Sequence, residues 1–131
     1  MDYLKKIHLI LIILIPFALI TGPFFPDFIV VISSIFFLIF IFIEKQFFYL
    51  RNKFFLLFIA WCIYLVTRSL LSENILLSLE SSLFHFRFGI FALSIWYALN
   101  NYHNLPKLFF FSLLTAFIIV IIDAYFQYFT N

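Results

Sequence analysis

The chain has 131 residues, of which 66% are hydrophobic, 24% aromatic and 11% charged, with a formal net charge of +2. A soluble domain carries about a quarter charged residues and about half apolar ones, and a core this small cannot enclose the surplus. Composition therefore excludes a soluble globule and implies lipid as the solvent. The weak, scattered positive charge excludes a nucleic-acid partner, and the single Cys62 excludes an internal disulfide.

A bilayer core needs roughly 20 mostly apolar residues per helix. The apolar runs are too long and continuous for strands, and in lipid only helices then satisfy their own backbone. The predicted fold is all-α, a polytopic membrane bundle of about five transmembrane helices in one region covering 1–131.

The first helix is predicted over Leu4–Ile20. Lys5 and Lys6 before a short apolar run also fit a signal peptide. Thr21-Gly22-Pro23 makes a poor cleavage site, however, and another apolar run follows, so the helix is read as retained, with a kink at Pro16. The second helix covers Phe28–Ile43, beyond the Gly22, Pro23 and Pro26 breakers. The third covers Phe54–Leu71, after the polar stretch Glu44–Lys53. Ser72–Ser82 is too short and polar to span. Ile75, Leu76 and Leu79 at helical spacing make it either an amphipathic piece on the outer surface or a plain connecting loop. The fourth helix covers Leu83–Leu99, with Gly89 and Ala92 as a small face for close packing. The fifth covers Leu108–Phe126, after the Asn-rich break at Asn100–Lys107.

Alternation of these helices puts Lys5, Lys6, Lys45, Arg51, Lys53 and Lys107 on one side and leaves Arg68 and Arg87 toward the other. By the positive-inside rule the N-terminus is cytoplasmic and the far end of the fifth helix lies outside. Tyr49, Trp96, Tyr97 and Tyr102 are then expected at the inner interface, and Tyr125 and Tyr128 at the outer one. His8 and His103 read as solvated loop or interface residues, and His85 as a helix-packing or interface residue.

Charged side chains inside membrane helices are costly and mark candidate sites. Arg87 falls about five residues into the fourth predicted helix, roughly 8 Å deep. Asp123 lies at similar depth in the fifth and Arg68 in the outer part of the third, so all three are expected at one leaflet level. Two readings stay open. Arg87 pairs with Asp123 or Glu80 and fastens the bundle, or Arg68 and Arg87 hold an anionic head group such as a lipid-linked diphosphate, which arginine's planar fork suits. No His, Cys or carboxylate pair has ligand spacing for a metal. Glycine-rich phosphate loops and dinucleotide fingerprints are also missing, so no cofactor is expected.

The stretch Leu79–Tyr97, LESSLFHFRFGIFALSIWY, resembles the N-terminal part of bacterial O-antigen ligases and the related polymerases, and Ile121–Thr130, IIDAYFQYFT, continues the resemblance. The likeness covers about half the chain. It implies a glycosyltransferase class of the bacterial inner membrane that takes glycan from an undecaprenyl-diphosphate carrier during lipopolysaccharide biosynthesis, without metal or nucleotide sugar. The family's catalytic Arg and His lie on a long periplasmic loop that nothing here matches. The chain is therefore expected to be the N-terminal part of a longer protein, partnered by that protein's remaining helices and by membrane lipid, and inactive alone. The alternatives are a small non-enzymatic membrane subunit or assembly partner in envelope export, or a transporter fragment with Arg87 and Asp123 lining the path.

Overall fold

A computed structural model describes residues 2–130. Six α-helices follow in order: α1 Asp2–Thr21, α2 Phe24–Glu44, α3 Lys53–Ser69, α4 Ile75–Phe84, α5 Phe86–Asn101 and α6 Leu105–Thr130, with a 3-10 turn at Phe47–Tyr49. No strand occurs among the described residues. Four helical stretches are long and apolar enough to cross a membrane: Tyr3–Thr21, Phe24–Glu44, Ile75–Asn101 and Leu105–Thr130.

Two local features differ from the five helices expected, the first changing the count and the second a helix boundary. First, α3 has 17 residues, about 25 Å at 1.5 Å per residue, somewhat short of a hydrocarbon core of roughly 30 Å. It ends at Ser69 because the chain tightens there: Leu71 N–H bonds the Arg68 carbonyl and Ser72 N–H bonds the Ser69 carbonyl, the three-residue pattern common at helix ends. Second, of the two readings of Ser72–Ser82 the helical one holds from Ile75, though not as a separate piece. From Ile75 it is helix and runs on through His85, whose backbone stays right-handed (φ −64°, ψ −27°), into α5. The His85 ring bonds the Ser81 carbonyl through Nδ1 at 2.8 Å. A carbonyl only accepts, so Nδ1 carries the proton.

The connections follow from their residues. Gly22 sits at φ +116° with open space around it, a conformation that lets the chain leave α1 and that side chains resist. Lys45 ends α2 at φ 55°. Asn52 opens α3, its Oδ1 accepting from Phe54 N–H at 3.0 Å, an ordinary N-cap. α6 begins at Leu105, earlier than the apolar run suggested, with Pro106 in the first turn, where its missing N–H costs little. Lys107 therefore belongs to that first turn rather than to the preceding loop.

The chain divides into two compact units, Met1–Ser33 with Ala98–Asn131, and Ser34–Tyr97. In the first, α1 packs along α6. Tyr102 Oη donates to the Lys5 carbonyl at 2.9 Å, and Ser112 Oγ donates to the Ile13 carbonyl. Higher up, Pro16, Leu19 and Ile20 face Leu113, Ala116, Phe117 and Val120. Rising numbers on one helix meet rising numbers on the other, so α1 and α6 are parallel. His8 is fully buried in α1, which corrects its reading as a solvated residue, whereas His103 is exposed in the turn before α6.

The second unit has an aromatic core of Phe37, Phe40, Ile41, Tyr49, Phe55, Leu93 and Tyr97. Tyr49 meets Trp96 edge-on at 4.9 Å, and Tyr97 stacks on Phe40 at 5.6 Å. Such pairs add about 0.5–1.5 kcal/mol each beyond their buried area. Tyr97 Oη donates to Glu44 Oε2 at 2.9 Å. Tyr49 and Tyr97, expected at the inner interface, are buried within this unit: the turn after α2 folds Tyr49 inward, and Glu44 gives the Tyr97 hydroxyl a partner.

Candidate functional site

The polar residues of the second unit concentrate where α3 ends and α4 begins. The α3–α4 contact is antiparallel. Ser69 Oγ bonds the Leu65 carbonyl at 2.8 Å, the Ser78 carbonyl at 3.1 Å and Ser82 Oγ. Ser82 Oγ in turn donates to the Ser78 carbonyl at 2.8 Å. Ser69 and Ser82 are both buried, so their hydroxyls are spent fastening one helix to the other. Nearer the surface, Ser72 Oγ and Ser78 Oγ lie 2.7 Å apart. These four serines, with Leu65, Arg68 and Leu71, line an open hollow of about 470 Å³.

Of the two arginines singled out from the sequence, Arg68 lies on this hollow, in the last turn of α3, and is exposed. A cation there also suits the negative end of the helix dipole. Its side chain has no hydrogen-bond or ion-pair partner among the described residues. Arg87 lies elsewhere. It is half-buried, and its guanidinium carbon stands 5.5 Å from the centre of the Phe84 ring and 5.0 Å from that of Phe88, within cation–π range. Its carbonyl accepts from Ser34 Oγ at 3.5 Å. With Ser82 opposite Ser69 and Gly89 opposite Phe58, Arg87 stands about seven residues further along α3 than Arg68, roughly 10 Å away by the helical rise. The single level expected for the arginines is thus replaced by two, because α4 starts eight residues before the fourth helix the sequence suggested.

Glu80 is exposed, and it lines a separate shallow cavity with Glu73, Asn74, Ile75, Leu76 and Leu77. Its carboxylate has no ion-pair partner among the described residues. Asp123 belongs to the other unit. It is exposed on α6 and accepts from Gln127 Nε2 at 2.8 Å, one turn on. No group of three or more His, Cys, Asp or Glu gathers as a metal site among the described residues.

A second cavity, of about 520 Å³, lies between α3 and α5 and is nearly all apolar: Asn52, Phe54, Phe55, Phe58, Phe88, Gly89, Ala92, Leu93 and Trp96. Gly89 and Ala92 were legible as a small face. The serines were not, because Ser69 and Ser82 are ordinary residues until the chain turns back on itself. Glu44 was also missed, since nothing near it in sequence points to Tyr97. No protein-family model, curated protein or solved structure matches this chain.

Proposed function

We propose that the chain is the membrane segment of a lipid-linked glycan transferase of the O-antigen ligase and polymerase class, residing in a bacterial inner membrane with its N-terminus cytoplasmic. The resemblance at Leu79–Tyr97 and Ile121–Thr130 and the one-sided basic residues support this reading. The observation that carries it is the exposed Arg68 on a serine-lined hollow at the polar end of α3 and α4, a donor set suited to a lipid diphosphate. Arg87 then serves deeper in the same helix pair.

The parallel contact of α1 and α6 supports five crossings rather than four. If α3 stayed on one side, the crossings would be α1, α2, α4–α5 and α6, and the first and last would run in opposite directions. Parallel packing fits the five-crossing arrangement, in which α3 also crosses, with tilt or local thinning covering its short length.

The test is photolabelling in membrane vesicles with a photoreactive polyprenyl diphosphate. The reading expects labelled peptides from the α3–α4 end that disappear when unlabelled polyprenyl diphosphate competes. Labelling that competitor leaves unchanged overturns it. A second reading, a non-enzymatic subunit of a membrane assembly, is favoured by one observation: every residue from Phe117 to Thr130 is exposed, so beyond its contact with the end of α1 the last half of α6 has room for a neighbouring helix. Copurification with another membrane protein tests it.

A further inference from the structure

The hydroxyl protons at the α3–α4 junction can be counted. Ser69 and Ser82 hold two protons between them and face the Leu65 and Ser78 carbonyls as well as each other, so neither has a proton to spare. Ser72 and Ser78 differ. Their hydroxyls bond only one another at 2.7 Å, and neither has a further side-chain partner among the described residues. Two hydroxyls hold two protons, and one bond uses one. One O–H donor is therefore left over, on a pair that lines the hollow beside Arg68. The guanidinium adds five N–H donors and a permanent charge. Among the described residues no carboxylate lines this hollow. Glu73 and Glu80 line the neighbouring cavity, and Glu80, two residues from both Ser78 and Ser82, lies on the other side of α4. The hollow thus presents surplus donors and positive charge with no anion to match them.

We propose that this hollow is a phosphate-binding site, in which Arg68 supplies the charge and the Ser72–Ser78 pair supplies one further hydrogen bond. The inference rests on the lipid-linked diphosphate reading for the source of the phosphate, and it assigns Arg68 rather than Arg87 as the cation that touches it. The hydroxyl pair makes a specific prediction. Ser72→Ala or Ser78→Ala alone leaves the other serine free to donate outward, so binding survives. Only the double substitution removes the donor. Ser69 and Ser82 stay untouched, so the helix junction is preserved.

The experiment titrates the purified chain in detergent with farnesyl diphosphate, inorganic diphosphate and farnesol, followed by calorimetry, with circular dichroism to confirm helicity. The site and the lipid-diphosphate reading together predict that farnesyl diphosphate binds and farnesol does not. It also predicts that Arg68→Gln weakens binding about tenfold or more, as expected for loss of a charge-assisted contact. The double serine variant should lose about threefold or more, and each single variant less than twofold. Binding of both diphosphates identifies the phosphate alone as the ligand, whereas binding of farnesyl diphosphate only adds a lipid-borne source. If farnesyl diphosphate binds and Arg68→Gln changes nothing, the site is overturned while the lipid-diphosphate reading stands. If inorganic diphosphate binds through Arg68 and farnesyl diphosphate fails to compete, the site stands and that reading falls. Absence of binding by either diphosphate overturns both.

Discussion

The ring of Phe58 occupies the space in which a side chain on Gly89 would have to begin. The contact lays an aromatic ring of α3 on bare backbone of α5, and both residues line the apolar cavity between the helices.

Substitution of Gly89 should therefore damage the second unit. Gly89→Val is expected to lower stability by about 1–3 kcal/mol, the range for overpacking, read as a fall in melting temperature in detergent. Phe58→Ala in the same chain should recover part of the loss, with a coupling of at least about 0.5 kcal/mol. Strict additivity of the two changes would show that the ring is not what forbids the side chain.

The Tyr97–Glu44 bond ties the end of α5 to the end of α2 across 53 residues. Tyr97→Phe keeps the ring that stacks on Phe40 and removes only the hydroxyl. The expected cost is about 1.5–3 kcal/mol, as for a hydrogen bond to a charged partner. Denaturant unfolding that fails to separate Tyr97→Phe from the parent would count against the bond.

Lys45 holds a left-handed backbone, at φ 55°, immediately after α2. For residues with a Cβ that conformation costs about 1–2 kcal/mol, and the side chain is exposed. Lys45→Gly should therefore raise the melting temperature, and Lys45→Val should lower it. The order of the three melting temperatures, Gly above Lys above Val, is the readout.

The topology can be probed by thiol labelling in intact cells after Cys62→Ala removes the only native thiol. Cysteines at Asn74 and Asn104, both exposed, fall on opposite sides in the five-crossing arrangement. An impermeant reagent should modify Asn74→Cys from outside and Asn104→Cys only after the membrane is opened. Equal labelling of both from outside would leave α4–α5 unable to span.

What the residues reveal in advance is hydrophobic length. Leu4–Ile20, Phe28–Ile43 and Leu108–Phe126 each became the body of a helix because lipid solvation acts on every residue of a run, and no distant partner is needed. Helix ends and burial are different. Ser72–Ser82 looked like a connection because its serines and glutamates lower the hydropathy. Yet Ser69, Ser78 and Ser82 satisfy one another's polar groups once α3 and α4 lie side by side. Tyr49, Tyr97 and His8 carry polar atoms that suit an interface equally well, and only packing shows them buried. The arginines were legible as unusual residues in apolar surroundings. Their separation along α3 depended on where α4 starts, which composition does not encode.

The pairing of α1 with α6 also constrains how the protein is made. α1 finds its main neighbour in α6, about a hundred residues later, since Lys5 waits for Tyr102 and Ile13 waits for Ser112. At about 5–20 residues per second of synthesis, that is a delay of roughly 5–20 seconds. Throughout it, α1 must rest against lipid or a chaperone, so biogenesis of this unit can be completed only after α6 has been synthesised.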